Sequence, residues 1–229
     1  MNNLLDIGKN YPSNKNKSGF IEIYQKWFNE FKNKEIKLLE IGVDKGDSLR
    51  IWREFFPNAK ICGLDIVKKD FSINDVELFT GDQSDCNFLK TVVEKYKSFD
   101  IIIDDGSHLS KHIIASFSYL YPHLNNNGLY VVEDLQTSYI PRYGGSRIRL
   151  NKNSTSMNFF KKLADCVNYE HYDKPFFKKN KFDSLVKSVN FYQNIVFVRK
   201  GFTQKYYYNK NRNYSLVDSI KKLFAFFFN

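Results

Sequence analysis

Hydrophobic positions in the first part of the chain alternate between two patterns. Short, continuous apolar runs occupy 37–43, 60–66, 76–82, 99–105 and 128–135. Between them, apolar residues recur at helical spacing in 48–56, 85–96 and 110–124, and a similar segment at 20–31 precedes the first run. Runs of this length fit strands that are buried on both faces, and their alternation with helices predicts a parallel sheet covered by helices.

The pattern changes after the fifth run. Residues 136–156 contain a proline, a glycine pair and several arginines and are expected to form a loop, whereas 157–169 resumes helical spacing. Residues 186–201 read as two strands joined by a tight turn at Gln193 and Asn194, which predicts an antiparallel hairpin. The predicted fold class is therefore α/β: a doubly wound, mostly parallel, seven-stranded sheet that ends in a C-terminal antiparallel hairpin.

The length of 229 residues suits one domain with a full core. We expect an N-terminal lid and helix at 1–35, the main domain at 36–201, and a basic, aromatic tail at 202–229. The amphipathic end of the tail packs on its own domain, on a second copy of the chain or on an anionic membrane surface. The sequence therefore leaves open whether the chain forms a homo-oligomer.

The amino-acid composition gives only weak information about the binding partners and the cellular location of the protein. The 35 basic and 25 acidic residues give a net charge of +10, but the basic residues are spread along the chain, which is weak support for an anionic partner. Three distant cysteines form neither a disulfide framework nor a metal-binding pair, so we expect a reduced, cytoplasmic setting. No signal peptide and no apolar run of about 18 residues is evident, so stable membrane insertion is not expected.

Glycines and acids follow several of the predicted strands. In such sheets ligands bind at the carboxyl ends of the strands. Gly42 and Gly46 lie between the first strand and a helix, where a tight turn lets the backbone approach a ligand, although a turn of this kind also occurs without one. Asp65 ends the second strand, where an acid is placed to bind ribose hydroxyls. Acids at 44 and 47 disfavour a phosphate in this loop and suit a cationic ligand.

Glu40, Gly42, Gly46, Asp65 and the sequence GDQSD at 81–85 together resemble the class I S-adenosylmethionine-dependent methyltransferases, over about 36–200. The resemblance implies a Rossmann-like methyltransferase fold with S-adenosylmethionine as cofactor. It places Gly42 and Gly46 against the methionine and ribose portions, Asp65 on the ribose, and Asp82 with Gln83 on the adenine. The remaining expected cofactor residues are Glu40, Ser48, Ile66, Ser84 and Asp104.

Carboxylates are concentrated at two neighbouring strand ends. Asp104 and Asp105 are adjacent on an extended chain, so their side chains should point to opposite faces. Glu133 and Asp134 follow the fifth strand, and such an oxygen-rich cluster suits a hard divalent cation. The alternative is that these acids are solvated or paired with basic residues, for which the candidates are Lys111, Arg142 and Arg147.

The combination of DDGSH at 104–108 with EDLQTSY at 133–139 and RYGG at 142–145 resembles a bacterial methyltransferase branch. This branch includes macrolide-sugar O-methyltransferases and cephalosporin-hydroxylase-like proteins. The resemblance implies Mg²⁺ or another hard divalent cation held by Asp105, Glu133 and Asp134, with His108 as general base. A cation that chelates two vicinal hydroxyls would stabilise developing alkoxide charge, and a base of near-neutral pKa contributes roughly 10²- to 10⁴-fold.

The other histidines have less specific interpretations. His112 follows His108 by four residues, but no third suitably placed histidine or cysteine supports a zinc site, so we expect His112 on the helix surface. His123 and His171 are expected to be structural.

Two polar stretches are candidates for lids over the site, the N-terminal segment and 136–156. The arginines of the second would suit the diphosphate of an activated sugar, although the loop could equally be a solvated basic connection. The expected substrate contacts are Tyr11, Phe20, Gln136, Tyr139, Arg142, Tyr143 and Arg147.

The sequence predicts the first of the following three functions and leaves the other two as alternatives. The first is a Mg²⁺-dependent O-methyltransferase acting on a sugar that is nucleotide-linked or belongs to a surface polysaccharide or natural product. The second changes the acceptor to a small catechol-like phenol; such enzymes usually carry Asp-Asn where Glu133 and Asp134 stand here. The third is an RNA-binding methyltransferase or non-catalytic module, for which steeply salt-dependent RNA affinity would be the signature. We expect a small-molecule partner and no nucleic acid.

Overall fold

A computed structural model of the chain describes residues 3–169 and 180–202. The strands are β1 (Lys37–Ile41), β2 (Lys60–Asp65), β3 (Val76–Thr80), β4 (Phe99–Asp104), β5 (Leu124–Val132), β6 (Val186–Tyr192) and β7 (Ile195–Lys200). The helices are α1 (Leu4–Lys9), α2 (Asn14–Lys17), α3 (Phe20–Phe28), α4 (Asp47–Phe55), α5 (Cys86–Tyr96), α6 (Ser110–Leu120) and α7 (Ser156–Val167). Short 3₁₀ turns occur at Asn29–Phe31, Tyr121–His123, Leu135–Tyr139 and Pro141–Tyr143.

The seven strands form one sheet in the order β3-β2-β1-β4-β5-β7-β6. The strands from β1 to β5 pair in parallel, whereas β7 runs antiparallel to both β5 and β6. The predicted fold class and the C-terminal hairpin are confirmed. From β1 the chain adds strands toward one edge of the sheet as far as β3 and then, from β4, toward the other edge. Ligands of doubly wound sheets bind at this change of direction, between β1 and β4.

Element boundaries differ from the sequence pattern in informative ways. Of the polar residues that end the predicted strands, Asp65 and Asp104 are the last residues of β2 and β4, whereas Asp82, Asp105, Glu133 and Asp134 lie just outside the sheet. Conversely, β5 begins at Leu124, four residues before the predicted run. The predicted helix at 20–31 divides into α3 and a 3₁₀ turn, and two short helices precede it that the pattern did not predict.

Both faces of the sheet are covered by apolar layers. One layer contains α5, α6 and α7, and the other contains α1, α3 and α4. Tyr24 and Phe28 of α3 contact the ring of Trp52 in α4, with centroids 5.1 and 5.3 Å away. Because these three side chains and Leu4 are fully buried, the N-terminal helices form part of the core. This packing fixes the position of the segment between α1 and α3.

In the ranges 3–169 and 180–202, no helix combines the length and apolar character that crossing a membrane requires. His171 and nearly all of the expected tail at 202–229 lie outside the described residues.

Candidate active site

The carboxyl ends of β1 to β5 surround a cavity of about 740 Å³, which we call the strand-end cavity. Backbone hydrogen bonds hold neighbouring strand ends together beyond the last ladder pair. The N–H of Asp105 donates to Ile41 O at 2.9 Å, and the N–H of Glu133 donates to Asp104 O at 3.0 Å. The predicted site residues that line the cavity are Phe20, Gly42, Asp65, Ile66, Asp82, Gln83, Asp105, His108, Glu133 and Asp134.

The two glycines after β1 have different environments. Gly42 has φ +88°, and a Cβ at this position would lie 2.1 Å from Asp105 O, so the exits of β1 and β4 approach closely here. Gly46 has φ +78° and contacts the ring of Phe71 instead of the cavity. Ser48 is also turned away, and its Oγ donates to Glu40 Oε2 at 2.9 Å inside the protein.

Asp65 lies at the cavity wall as an ionised acceptor. Burial opposes its charge, but hydrogen bonds from Val67 N, Lys69 Nζ, Val43 N and Asp44 N outweigh burial and lower the pKa of the carboxyl. Beside it, Ile66 and Val67 expose 70% and 61% of their surface although both are large and apolar. An ionised acceptor next to exposed apolar side chains fits a ligand with hydroxyls and a flat apolar ring.

The residues after β3 divide into two groups. Asp82 accepts hydrogen bonds from the N–H and the Oγ of Ser84, at 2.7 and 2.8 Å, and these bonds lower the pKa of its carboxyl. Asp82 and Gln83 both line the cavity, but Gln83 is only 5% exposed and directs its amide inward to Asp104.

Asp104 and Asp105 point in opposite directions. Asp104 is 1% exposed and accepts hydrogen bonds from Ser116 Oγ at 2.6 Å and Gln83 Nε2 at 3.0 Å. Burial raises the pKa of its carboxyl. Asp105 faces the strand-end cavity, so of the adjacent pair it is the one that can contact a ligand.

Asp105, His108 and Asp134 form a cluster in which one ligand atom from each lies within 4.8 Å of the others. His108 Nε2 is 3.7 Å from Asp134 Oδ2, and 24% of the histidine side chain is exposed. Two carboxylates and an imidazole at the end of a cavity fit a divalent cation. The third expected metal ligand, Glu133, is not part of this cluster.

Glu133 instead belongs to a buried charged cluster that the sequence did not predict. Its Oε1 accepts hydrogen bonds from Lys15 Nζ at 2.7 Å and from Tyr24 OH at 2.5 Å. Lys15 Nζ also donates to Asp105 Oδ2 at 2.7 Å and lies 3.4 Å from Glu40 Oε1. Burial and the nearby Asp105 raise the pKa of Glu133 to about 8, against the effect of Lys15.

Lys15 therefore answers one question that the sequence left open. The candidate partners of the acids were Lys111, Arg142 and Arg147, but the ion pairs of Asp105 and Glu133 in the described part of the chain are made by Lys15. Lys15 is 3% exposed and reaches the site because α1 and α3 are buried on either side of α2. One cation thus contacts three carboxyl groups, and burial raises the pKa of two of them, Glu40 and Glu133.

The loop after β5 contributes two of the expected substrate residues near the cluster. Gln136 Nε2 donates to Asp134 Oδ1 at 3.0 Å, and the ring centroid of Tyr143 lies 6.3 Å from that of His108. Tyr139 is partly buried in the 3₁₀ turn, whereas Arg142 and Arg147 are exposed outside the cavity lining.

Three further residues can now be located. Tyr11 donates its hydroxyl to Glu54 of α4 at 3.0 Å and is not among the residues that line the cavity. His112 was expected on the helix surface, and this was wrong: it is partly buried, lines the cavity and has Nδ1 3.1 Å from Ser107 Oγ. His123 is partly buried, and its ring centroid lies 5.6 Å from that of Tyr119.

Comparison with solved structures gives the class that this geometry indicates. The methyltransferase MycE of mycinamycin biosynthesis, solved with Mg and S-adenosylhomocysteine, matches with a TM-score of 0.82 and 33% identity over 88% of this chain and 54% of MycE. A second MycE structure, which also contains mycinamycin VI, matches with a TM-score of 0.86 and 30% identity, over 97% of this chain and 60% of MycE. The chain belongs to the class I S-adenosylmethionine-dependent methyltransferases.

Curated relatives lie within one branch of this class. The chain is 36% identical to mycinamicin VI 2''-O-methyltransferase of Micromonospora griseorubida over 192 residues, which are 80% of this chain and 48% of the relative. It is also 36% identical to demethylmacrocin O-methyltransferase of Streptomyces fradiae, over 80% of this chain and 48% of that protein. The chain thus spans about half the length of these relatives. No family model matches it.

Proposed function

We propose that this chain catalyses the transfer of a methyl group from S-adenosylmethionine to a sugar hydroxyl, with Mg²⁺ or another hard divalent cation bound at the acceptor side. The observation that carries the proposal is the convergence of Asp105, His108 and Asp134 on one end of the strand-end cavity. The opposite wall offers Asp65 and the exposed apolar Ile66, which suit the ribose and the adenine. Similarity to sugar O-methyltransferases supports the assignment.

The carboxylates of Asp105 and Asp134 would hold the metal, together with the oxygen of Glu133 that Lys15 and Tyr24 do not contact. When bound, the metal would supply Lewis acidity toward neighbouring sugar hydroxyls. His108 accepts the proton of the reacting hydroxyl at a ring nitrogen. Gln136 holds Asp134 through its amide, and Phe20 closes the cavity on the side of the N-terminal helices.

Several cofactor assignments remain part of the proposal. Gly42 lets the cofactor lie against the backbone after β1, Asp65 binds the ribose hydroxyls, and Asp82 approaches the adenine edge. Glu40 is buried, is not among the residues that line the cavity and has Oε1 3.4 Å from Lys15 Nζ, so it would act on the cofactor only by holding the segment after β1. Neither Ser48 nor Asp104 faces the cavity. Ser48 would act only through its hydrogen bond to Glu40, and Asp104 only by holding the exit of β4.

The acceptor can be proposed in finer detail. Arg142 and Arg147, which are exposed in the loop that follows Asp134, support a sugar that carries a diphosphate, as a nucleotide sugar does. The methylated sugar would then belong to the precursor of a polysaccharide or of a natural product. The free thiols of Cys62, Cys86 and Cys166 support a cytoplasmic location. A homo-oligomer remains a prediction.

The decisive experiment is a methyl-transfer assay with S-adenosylmethionine over a panel of nucleotide sugars, free glycosides and catechol, with Mg²⁺ or with a chelator. We expect transfer to a sugar, loss of transfer with the chelator, and recovery on adding Mg²⁺. Methylation of catechol alone would show that the acceptor is a phenol and not a sugar. Transfer at an unchanged rate in the presence of the chelator would exclude a role for the metal. Failure to bind S-adenosylhomocysteine would exclude the cofactor.

A further inference from the structure

The amide of Gln83 is engaged at both ends inside the protein. Its Nε2 donates to Asp104 Oδ1 at 3.0 Å, and its Oε1 accepts a hydrogen bond from Ser107 N at 2.7 Å. The N–H of Ser107 can only donate, which fixes the orientation of the amide. Gln83 borders the strand-end cavity, but its polar atoms are used and the residue is 5% exposed.

Asp104 gives this amide a rigid anchor. Its carboxylate lies at the end of β4 and is held by Ser116 of α6 at 2.6 Å, with the hydroxyl of Tyr130 in β5 at 3.5 Å. All three residues are fully buried. Buried hydrogen-bond networks in which every member is satisfied restrict motion strongly. The Asp104 carboxylate is therefore a fixed point in the core.

The other end of the amide holds the loop that carries His108, which we call the base loop (residues 105–109). Ser107 Oγ accepts from Leu109 N at 3.3 Å and lies 3.1 Å from His112 Nδ1, so Ser107 is held through its backbone and its side chain. The loop lies directly on the amide, because a Cβ on Gly106 would be 2.2 Å from Gln83 Oε1.

His108 needs such support because of its backbone conformation. Its φ of +57° lies in the left-handed region, which is unfavourable for a non-glycine residue and persists only when neighbouring contacts enforce it. Gln83 holds the residue immediately before it. Without the hydrogen bond to Ser107, the base loop can relax and move the imidazole away from Asp105 and Asp134.

We propose that Gln83 is a positioning residue for His108 and that it does not bind the adenine of the cofactor. The proposal rests on the assignment of His108 as general base for its effect on catalysis, but its effect on the base loop is independent of that assignment. It separates Gln83 from Asp82, which keeps its proposed place near the adenine.

The test compares Gln83→Met, which removes the amide at nearly constant length, with Asp82→Ala at the adjacent position. Three quantities are measured: the Kd for S-adenosylhomocysteine by calorimetry, kcat at saturating S-adenosylmethionine, and the exchange rate of the Ser107 amide by NMR. For Gln83→Met we expect a Kd within about 2-fold of wild type, kcat lower by roughly 10- to 100-fold, and faster exchange at Ser107. Asp82→Ala should raise the Kd and leave Ser107 exchange unchanged.

A reciprocal pair keeps the test conclusive if Gln83→Met folds poorly. Gln83→Glu places two carboxylates face to face. Adding Asp104→Asn restores a hydrogen bond between the two side chains, now with the amide at 104 as donor and the carboxylate at 83 as acceptor. The carboxylate at 83 still provides an acceptor for the N–H of Ser107. The double variant should recover slow Ser107 exchange and most of kcat relative to Gln83→Glu alone.

Two outcomes would overturn the proposal. One is a Kd that rises 10-fold or more with kcat preserved, which would return Gln83 to the adenine; the other is Ser107 exchange that none of the Gln83 substitutions alters. If the wild-type chain methylates no acceptor, the proposed function fails, yet Ser107 exchange still decides whether Gln83 holds the base loop.

Discussion

Lys15 and Glu133 form a buried ion pair with an N–O distance of 2.7 Å, although 118 positions separate them along the chain. The pair connects the short helix α2 to the end of β5. Because Lys15 also contacts Asp105, the N-terminal segment is bound directly to the acids of the candidate metal site. The two residues thus link the packing of the N-terminus to the chemistry of the strand-end cavity.

We expect Lys15→Met to destabilise the protein strongly. Removing one partner of a buried ion pair leaves the other charge uncompensated and typically costs about 3–5 kcal/mol. Here the ammonium contacts three carboxylates, two of which, Glu40 and Glu133, are themselves buried. The free energy of unfolding, measured with urea, should fall by this amount.

Lys17→Met provides the matched control for this substitution. Lys17 lies on the same helix, but it is exposed, so its replacement should change stability by no more than about 0.5 kcal/mol. Equal effects of the two substitutions would show that Lys15 stabilises the protein no more than an ordinary surface lysine does.

The strand ends were predictable from sequence, and the charged cluster between them was not. Asp65, Asp105 and Asp134 follow apolar runs, and parallel strands must bring their carboxyl ends to one edge. Lys15 lies in a polar stretch with no local signature, because its position depends on how α1 and α3 pack against α4. Only the burial of Leu4, Tyr24 and their neighbours places this ammonium in the site.

The roles of neighbouring polar residues depended on side-chain direction. The alternation along β4 predicted that Asp104 and Asp105 face opposite ways, and they do. It did not tell which of them faces the cavity. The family resemblance places Gln83 with Asp82 on the adenine, yet the side-chain amide of Gln83 donates to Asp104 inside the protein. A pattern of strand ends identifies the edge but not the direction of each side chain.

Metal binding is expected to depend on Asp134. The carboxylate contributes one of three ligand atoms that lie within 4.8 Å of one another, so Asp134→Asn should weaken Mn²⁺ binding by at least 10-fold in titrations followed by electron paramagnetic resonance. Asp44→Asn is the control, because Asp44 lines the same cavity outside the cluster and should leave the affinity unchanged.

Substitution of Glu133 separates the two possible ligand sets. Since one of its oxygens contacts Lys15 and Tyr24, Glu133 binds the metal through the other oxygen or only positions Asp105 through Lys15. We expect Glu133→Gln to reduce Mn²⁺ affinity as Asp134→Asn does. Unchanged affinity would restrict the carboxylate ligands to Asp105 and Asp134.

Loss of the His108 imidazole should reduce the rate of methyl transfer without reducing cofactor affinity. For His108→Gln we expect kcat to fall by roughly 10²- to 10⁴-fold, the range for a general base, with the Kd for S-adenosylhomocysteine unchanged. His123→Gln is the control, because His123 lies near Tyr119 and should leave kcat as it is. A kcat for His108→Gln equal to that of wild type would exclude His108 as the base.

Gly42 should be far less tolerant of a side chain than Gly19, although both have positive φ, +88° and +73°. Apart from its chain neighbours, no atom of residues 3–169 and 180–202 lies within 4 Å of a Cβ added at Gly19, so Gly19→Ala should cost only the roughly 1–2 kcal/mol of the left-handed backbone. At Gly42 the added Cβ would meet Asp105 O at 2.1 Å, and the backbone of the β4 exit must move. Gly42→Ala should therefore lower the free energy of unfolding by more than Gly19→Ala does, and it should also weaken Mn²⁺ binding because Asp105 is displaced. Equal stability losses and an unchanged Mn²⁺ affinity would show that the exits of β1 and β4 are not held in the close contact on which the site depends.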